Sequence, residues 1–131
     1  MASRWLPVLV WAGVIFAFSS IPSLSSGLGT WDTVLRKLAH LTEYSILALL
    51  LVRATGSYAW AFALAVAYAA TDEVHQLFVR GRHGSPIDVG IDAVGALVGL
   101  AVLRSIEAPT NEARAAGTRW ARTLRRPRSP R

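Results

Sequence analysis

The chain has no cysteine, which rules out a disulfide framework and any thiolate metal site. It has no Gly-Lys-Ser/Thr run either, so the glycines between Arg80 and Ser85 do not make a phosphate-binding P-loop. No internal repeat is visible, and four short helices without one make a poor alternating-access transporter unless they oligomerise. No nucleic-acid recognition fold accompanies the basic residues, so nucleic acid is not taken as a partner. What the sequence does hold is apolar. Hydrophobic residues make up 53% of its 131 positions. They are gathered into runs rather than spread as the stripes of soluble amphipathic helices, and mean hydropathy is +0.38. These features favour a one-domain membrane protein.

The first apolar run, Trp5 to Ile21, is about 25 Å long as a helix, short for a span but usable with interfacial flanks. Arg4 before it and Ala17-Phe18-Ser19 within it also fit a signal peptide, but the run exceeds the usual signal core, so a retained helix is favoured. Pro22 to Thr30, rich in Ser and Gly, reads as a loop. The spacing predicts a second helix over 33–52, capped by Asp32 or Thr33, then a turn at Arg53–Ser57. A third helix follows over 58–79, with Tyr58 and Trp60 suited to a membrane interface. A fourth spans 86–103, with Ser85 as cap, Pro86 as first helical residue and Asp88 three positions after the cap. On it Asp88, Asp92, Gly95 and Gly99 share one stripe, and Gly95-x-x-x-Gly99 invites close approach of another helix, with alanine at Gly99 expected to be mild.

The fold class predicted is therefore all-α: an integral membrane bundle of four transmembrane helices over residues 1–106, with an arginine-rich tail over 107–131. Within the tail, Glu112 to Arg126 reads as an interfacial amphipathic helix or a disordered basic segment. The net charge of +6 comes from this end, where eight arginines follow the last apolar run. Anionic lipid is its expected partner, and the bilayer that of the helices. Four spans put Arg4, Arg53 and the tail arginines on one side, and Arg36, Lys37, Arg80 and Arg82 on the other. The positive-inside rule then predicts a multi-pass cell-membrane protein with both termini in the cytoplasm.

This topology gathers the polar residues. The start of the second helix, the end of the third and the start of the fourth would all lie at the extracytoplasmic end. The predicted pocket comprises Lys37, His40, Glu43, Tyr44, Asp72, Glu73, Gln76, Arg80, Arg82, Asp88 and Asp92, with His75 beside them. At about 100° per residue Lys37, His40, Glu43 and Tyr44 fall within an arc of about 120°. Tyr68, Asp72, His75 and Gln76 likewise share a face. Ionisable groups in apolar segments are costly, so such a cluster points to function.

His40, Glu43, Asp72 and His75 are the candidates for acid–base work, since desolvation brings a carboxyl towards neutrality. Arg80 and Arg82 can clamp a phosphate or carboxylate bidentately. Plain readings stand beside these. Buried polar groups often only join helices, Asp72 or Glu73 can neutralise Arg80 or Arg82, Asp88 can serve only as a capping partner, and His83 reads as solvated. His40-x-x-Glu43 and Asp72-x-x-His75 have the spacing of helix-borne metal ligands, but no longer signature accompanies them, so neither metal nor cofactor is assigned.

Taken together, Lys37-x-x-His40-x-x-Glu43-Tyr44, Asp72-Glu73-x-His75-Gln76-x-Phe78, Gly81-Arg82-x-Gly84-Ser85-x-x-Asp88 and Asp92-x-x-Gly95-x-x-x-Gly99 resemble the VanZ-like family of small bacterial membrane proteins. The resemblance runs from about Trp5 to Leu103. Arg80 stands where the family usually has proline, and Asp92 where asparagine is common. The resemblance implies a helical protein of the cell envelope with an effect on glycopeptide (teicoplanin) susceptibility, and it supplies motif positions but no catalytic residues. Two functions are carried forward. One is an envelope protein binding a lipid-linked or cell-wall anionic ligand through the outward pocket. The other is a membrane hydrolase or transferase acting on a lipid phosphate or wall precursor by His/carboxylate chemistry, although the lysine, Ser-Gly-His and Arg-His constellation of lipid-phosphate phosphatases is absent.

Overall fold

The computed structural model describes residues 2–22, 30–82 and 84–124. Most of the Pro22–Thr30 segment, His83, and the last residues of the arginine tail lie outside them. Within them the chain forms α1 (Ala2–Ser19), α2 (Thr30–Thr55), α3 (Tyr58–Gln76) and α4 (Pro86–Leu124), with no strand. The protein divides into two compact units, residues 1–100 and 101–131. The first holds α1 to α3 and the opening turns of α4. The second, in its described part, is helical to Leu124.

The helix ends show where chain chemistry overrides the apolar pattern. α2 absorbs Arg53, Ala54 and Thr55, which the sequence pattern assigned to a turn. It stops at Gly56, whose φ of 70° places it in the left-handed region and whose N–H closes on the Val52 carbonyl at 2.8 Å. Ser57 then caps α3, accepting from the Trp60 N–H at 3.4 Å. α3 ends at Gln76 rather than Val79. Leu77, Phe78 and Val79 each bond three residues back, a tightening that leads to Gly81 at φ 74°. α4 continues to Leu124, past the end near Leu103 that the apolar pattern set. The loss of apolar periodicity there removes the burial signal but not the helix, because Glu112, Ala113, Arg114, Ala115 and Ala116 are all good helix formers.

The core of the first unit is built from small and aliphatic residues: Ile15 from α1, Tyr44, Leu47, Ala48 and Leu51 from α2, and Ala96 from α4. Ala61, Ala65 and Ala69 form a fully buried stripe along α3, and small side chains at this spacing let helix backbones come close. The approach of α4 to α2 is closer still. A Cβ on Gly95 would lie 2.5 Å from the Leu41 carbonyl oxygen, and one on Gly99 would lie 2.6 Å from that of Ser45. The Ser45 hydroxyl bonds the Gly95 carbonyl at 2.6 Å across this seam. The expectation that alanine at Gly99 would be mild is therefore corrected: its neighbours are backbone atoms, which cannot rotate aside.

Outward faces are apolar rather than polar. Leu6, Leu9 and Phe18 on α1, Leu35 and Leu38 on α2, and Val94, Leu97 and Val102 on α4 are all exposed. A monomeric soluble protein seldom exposes so many large apolar side chains. Among the described residues two helices are long and apolar enough to cross a membrane, Thr30–Thr55 and Pro86–Ala108, while Ser3–Ser19 is a shorter apolar helix.

Candidate functional site

The polar residues of α2, α3 and α4 do meet, chiefly in pairs between helices. Lys37 Nζ donates to Asp88 Oδ1 at 2.7 Å, tying α2 to the first turn of α4. One turn further along both helices, His40 Nδ1 lies 3.2 Å from Asp92 Oδ1. Asp92 is sealed from solvent, with 1% of its side chain exposed, and Oδ2 has no partner. An Nδ1–H given to a carboxylate fixes the imidazole and leaves Nε2 for other work. The ring also stacks on Tyr44, with centroids 6.4 Å apart, and the fully buried Tyr44 hydroxyl has no partner.

The α3–α4 connection is anchored by Glu73, whose Oε2 accepts the Ser85 N–H at 2.7 Å. Ser85 Oγ in turn accepts from the Ile87 N–H at 3.2 Å, the cap expected from the Ser-Pro start. Gly84 is required here, because any Cβ would run into the Glu73 carbonyl. Glu73 Oε1 is buried and unpartnered.

Arg82 reaches the opposite way, to the end of α1. Its Nε donates to the Ile21 carbonyl at 3.1 Å and its Nη2 to the Phe18 carbonyl at 3.0 Å, while Nη1 is buried without a partner. A guanidinium on the last carbonyls of a helix satisfies acceptors the helix cannot and complements its dipole. Burial, and next the nearby Arg36 guanidinium, hold the Arg82 pKa below its ordinary value. Arginine keeps its charge regardless.

Asp72 departs from its expected partners. Among the described residues the ion pairs are Lys37–Asp88 and His40–Asp92, so neither Asp72 nor Glu73 makes a contact ion pair with Arg80 or Arg82, although both carboxylates attract the Arg82 guanidinium from further off. Asp72 Oδ2 instead accepts from the buried Ser19 hydroxyl at 2.6 Å and from Gln76 Nε2 at 3.3 Å. His75 faces α1 as well, stacked on Phe16 at 4.2 Å with Nε2 3.0 Å from Ser20 Oγ. The Ser20 proton goes to the Phe16 carbonyl at 2.7 Å, so its oxygen receives the His75 Nε2–H.

These contacts enclose a cavity of about 230 Å³. Lys37, His40, Glu73, Gln76, Arg82, Asp88 and Asp92 line it, joined by Thr33, Arg36, Gly81 and Ile91. A second, of about 390 Å³, opens between α1 and α2 and shares Arg36, His40 and Arg82 with the first, with Glu43 added. Of the residues the sequence singled out, Asp72, His75, Tyr44 and the exposed Arg80 line neither cavity. Arg36, Ser19 and Ser20 were missed. Arg36 was legible, lying four residues before His40 on the same face. The serines were not, because only the packing of α1 brings them to α3. Among the described residues no three His, Asp or Glu side chains are grouped as a metal would need.

The pattern that joins these positions, from the Lys37/His40 helix through the Gly81-Arg82 connection to the Gly95/Gly99 seam, has a match. The VanZ/LLP1 family model matches residues 4–107. The chain belongs to this family. Neither the curated proteins nor the solved structures gave a match. Family and apolar helices together mark this VanZ-like chain as a membrane protein.

Proposed function

We propose that this VanZ-like chain is a four-span protein of the bacterial cell membrane that binds an anionic headgroup, lipid-linked or from the cell wall, in the cavity between α2, α4 and the α3–α4 connection. The observation carrying this reading is that Arg36 and Arg82 line both cavities together. The two guanidiniums repel each other, an anion held between them relieves that repulsion, and planar N–H forks suit phosphate or carboxylate oxygens. The charge bias of the sequence supports cytoplasmic termini and an outward-facing cavity, with the tail arginines at anionic lipid. An effect on teicoplanin susceptibility would follow if the headgroup belongs to wall synthesis.

A second reading, a hydrolase or transferase acting on the same headgroup, draws on the His40–Asp92 pair, which has the geometry of an oriented general base. One experiment addresses both. Purified protein is titrated with phospholipids and lipid-linked wall precursors by native mass spectrometry, and the same samples are followed for product. Binding without turnover is expected, and weakened binding in Arg36→Gln. Product that disappears in His40→Gln would favour the enzyme, and no binding of any phosphate-bearing lipid would overturn the first reading. A tag inserted between Arg80 and Ser85 should be reachable from outside the cell, and a protected tag would overturn the orientation.

A further inference from the structure

The cavity lining carries two chemically different groups of side chains. Arg36 and Arg82 form one. In the other are Glu73 and Asp92, 5% and 1% exposed as residues, each of which keeps one carboxylate oxygen without a donor. An anion alone would satisfy the guanidiniums and leave these oxygens orphaned, or repel them. Buried acceptors without a donor are costly, and the internal donors that reach these two carboxylates serve their other oxygens: His40 Nδ1 on Asp92 and the Ser85 N–H on Glu73. The missing complement is a group rich in N–H donors with positive charge. Size narrows it further, since about 230 Å³ is below the roughly 300–1,000 Å³ of pockets that enclose drug-sized ligands. A space of this size suits a headgroup.

We propose that the cavity takes a zwitterionic headgroup, its phosphate on Arg36 and Arg82 and its protonated primary amine on Asp92 and Glu73. This rests on the anion-binding reading above and sharpens it to a phosphate–amine class. The headgroup can be presented by a lipid or by a soluble phosphate ester, and the chemistry at the two ends is the same.

The test uses the full chain in detergent with short-chain phosphatidylethanolamine, phosphatidylcholine, phosphatidylglycerol and phosphatidic acid, binding being read by thermal stabilisation and by calorimetry. Phosphatidylcholine keeps the phosphate and the positive charge but has no N–H. Ethanolamine should bind about tenfold more tightly than choline, the value of one charge-assisted hydrogen bond lost. Asp92→Asn should narrow that gap while choline affinity stays. The comparison among headgroups needs only wild-type protein, so a variant that fails to fold does not protect the proposal. Equal affinity for ethanolamine and choline would overturn the amine end and leave the anion site standing, as would phosphatidylglycerol binding as tightly as ethanolamine. No binding of any of the four would overturn both. Glycerophosphoethanolamine, the same headgroup without acyl chains, separates the sources. Binding with the same preference supports recognition of a soluble ester, and preference confined to the acylated form supports a lipid.

Discussion

Replacing Gly99 by alanine adds one methyl group at the tightest seam of the first unit. Its Cβ would sit 2.6 Å from the Ser45 carbonyl oxygen, 2.9 Å from Ser45 Cα and 3.0 Å from its carbonyl carbon. Ordinary contact is about 0.8 Å further out than the nearest of these, and all three atoms are backbone. The helices must part, and forced overpacking of this kind costs roughly 1–3 kcal/mol. Parting them also stretches the 2.6 Å bond from Ser45 Oγ to the Gly95 carbonyl, worth about 1 kcal/mol more. Against this stands the helix-propensity gain of alanine over glycine, about 1 kcal/mol. The balance is a destabilisation of about 1–3 kcal/mol. The assay is thermal unfolding of purified protein in detergent micelles, read by helical circular dichroism. Gly13→Ala and Gly90→Ala are the controls, because a Cβ at either position meets nothing within 4 Å. These two should melt at or above the wild-type temperature, and Gly99→Ala clearly below it, with Gly95→Ala behaving alike. If Gly99→Ala melts together with Gly90→Ala, α4 does not lie against α2 as described and the convergence of Lys37 with Asp88 loses its basis.

Arg82→Gln removes both bonds to the α1 carbonyls and should lower stability by roughly 1–2 kcal/mol, seen as earlier cleavage near Ile21 in limited proteolysis. The Lys37–Asp88 pair is partly exposed, 44% and 34% by side chain, so a double-mutant cycle with Lys37→Met and Asp88→Asn should give a coupling no greater than about 1 kcal/mol. Asp72→Asn should be destabilising in the wild type but nearly silent in a Ser19→Ala background, since the two share one buried bond. Arg82→Gln should not rescue it, as the two form no ion pair; rescue in chemical denaturation would contradict that geometry.

Chain chemistry alone set much of this protein. Apolar runs fixed four helices and all-α architecture, because backbone polar groups in an apolar setting must be satisfied within the helix. The Ser85-Pro86 start, the shared face of Lys37 and His40 on α2, and the Asp88, Asp92, Gly95 and Gly99 stripe on α4 were equally legible, since each depends on spacing along one helix. Helix ends were less so. The pattern ran α3 on to Val79, yet Leu77 and Phe78 are 61% and 83% exposed, and hydrophobicity by itself does not say which way a residue faces. Pairing across helices was decided only by the tertiary structure. Asp72 looked like the counter-ion of an arginine, because charge is visible in sequence and packing is not. The rotation of α1 gives it Ser19 instead, and sends Arg82 to the Phe18 and Ile21 carbonyls. Arg36 joins the cavity, and Arg80, two residues from Arg82 on the same loop, points away from it. A helix fixes which of its own residues share a face, but only the packing of one helix on another determines what that face meets.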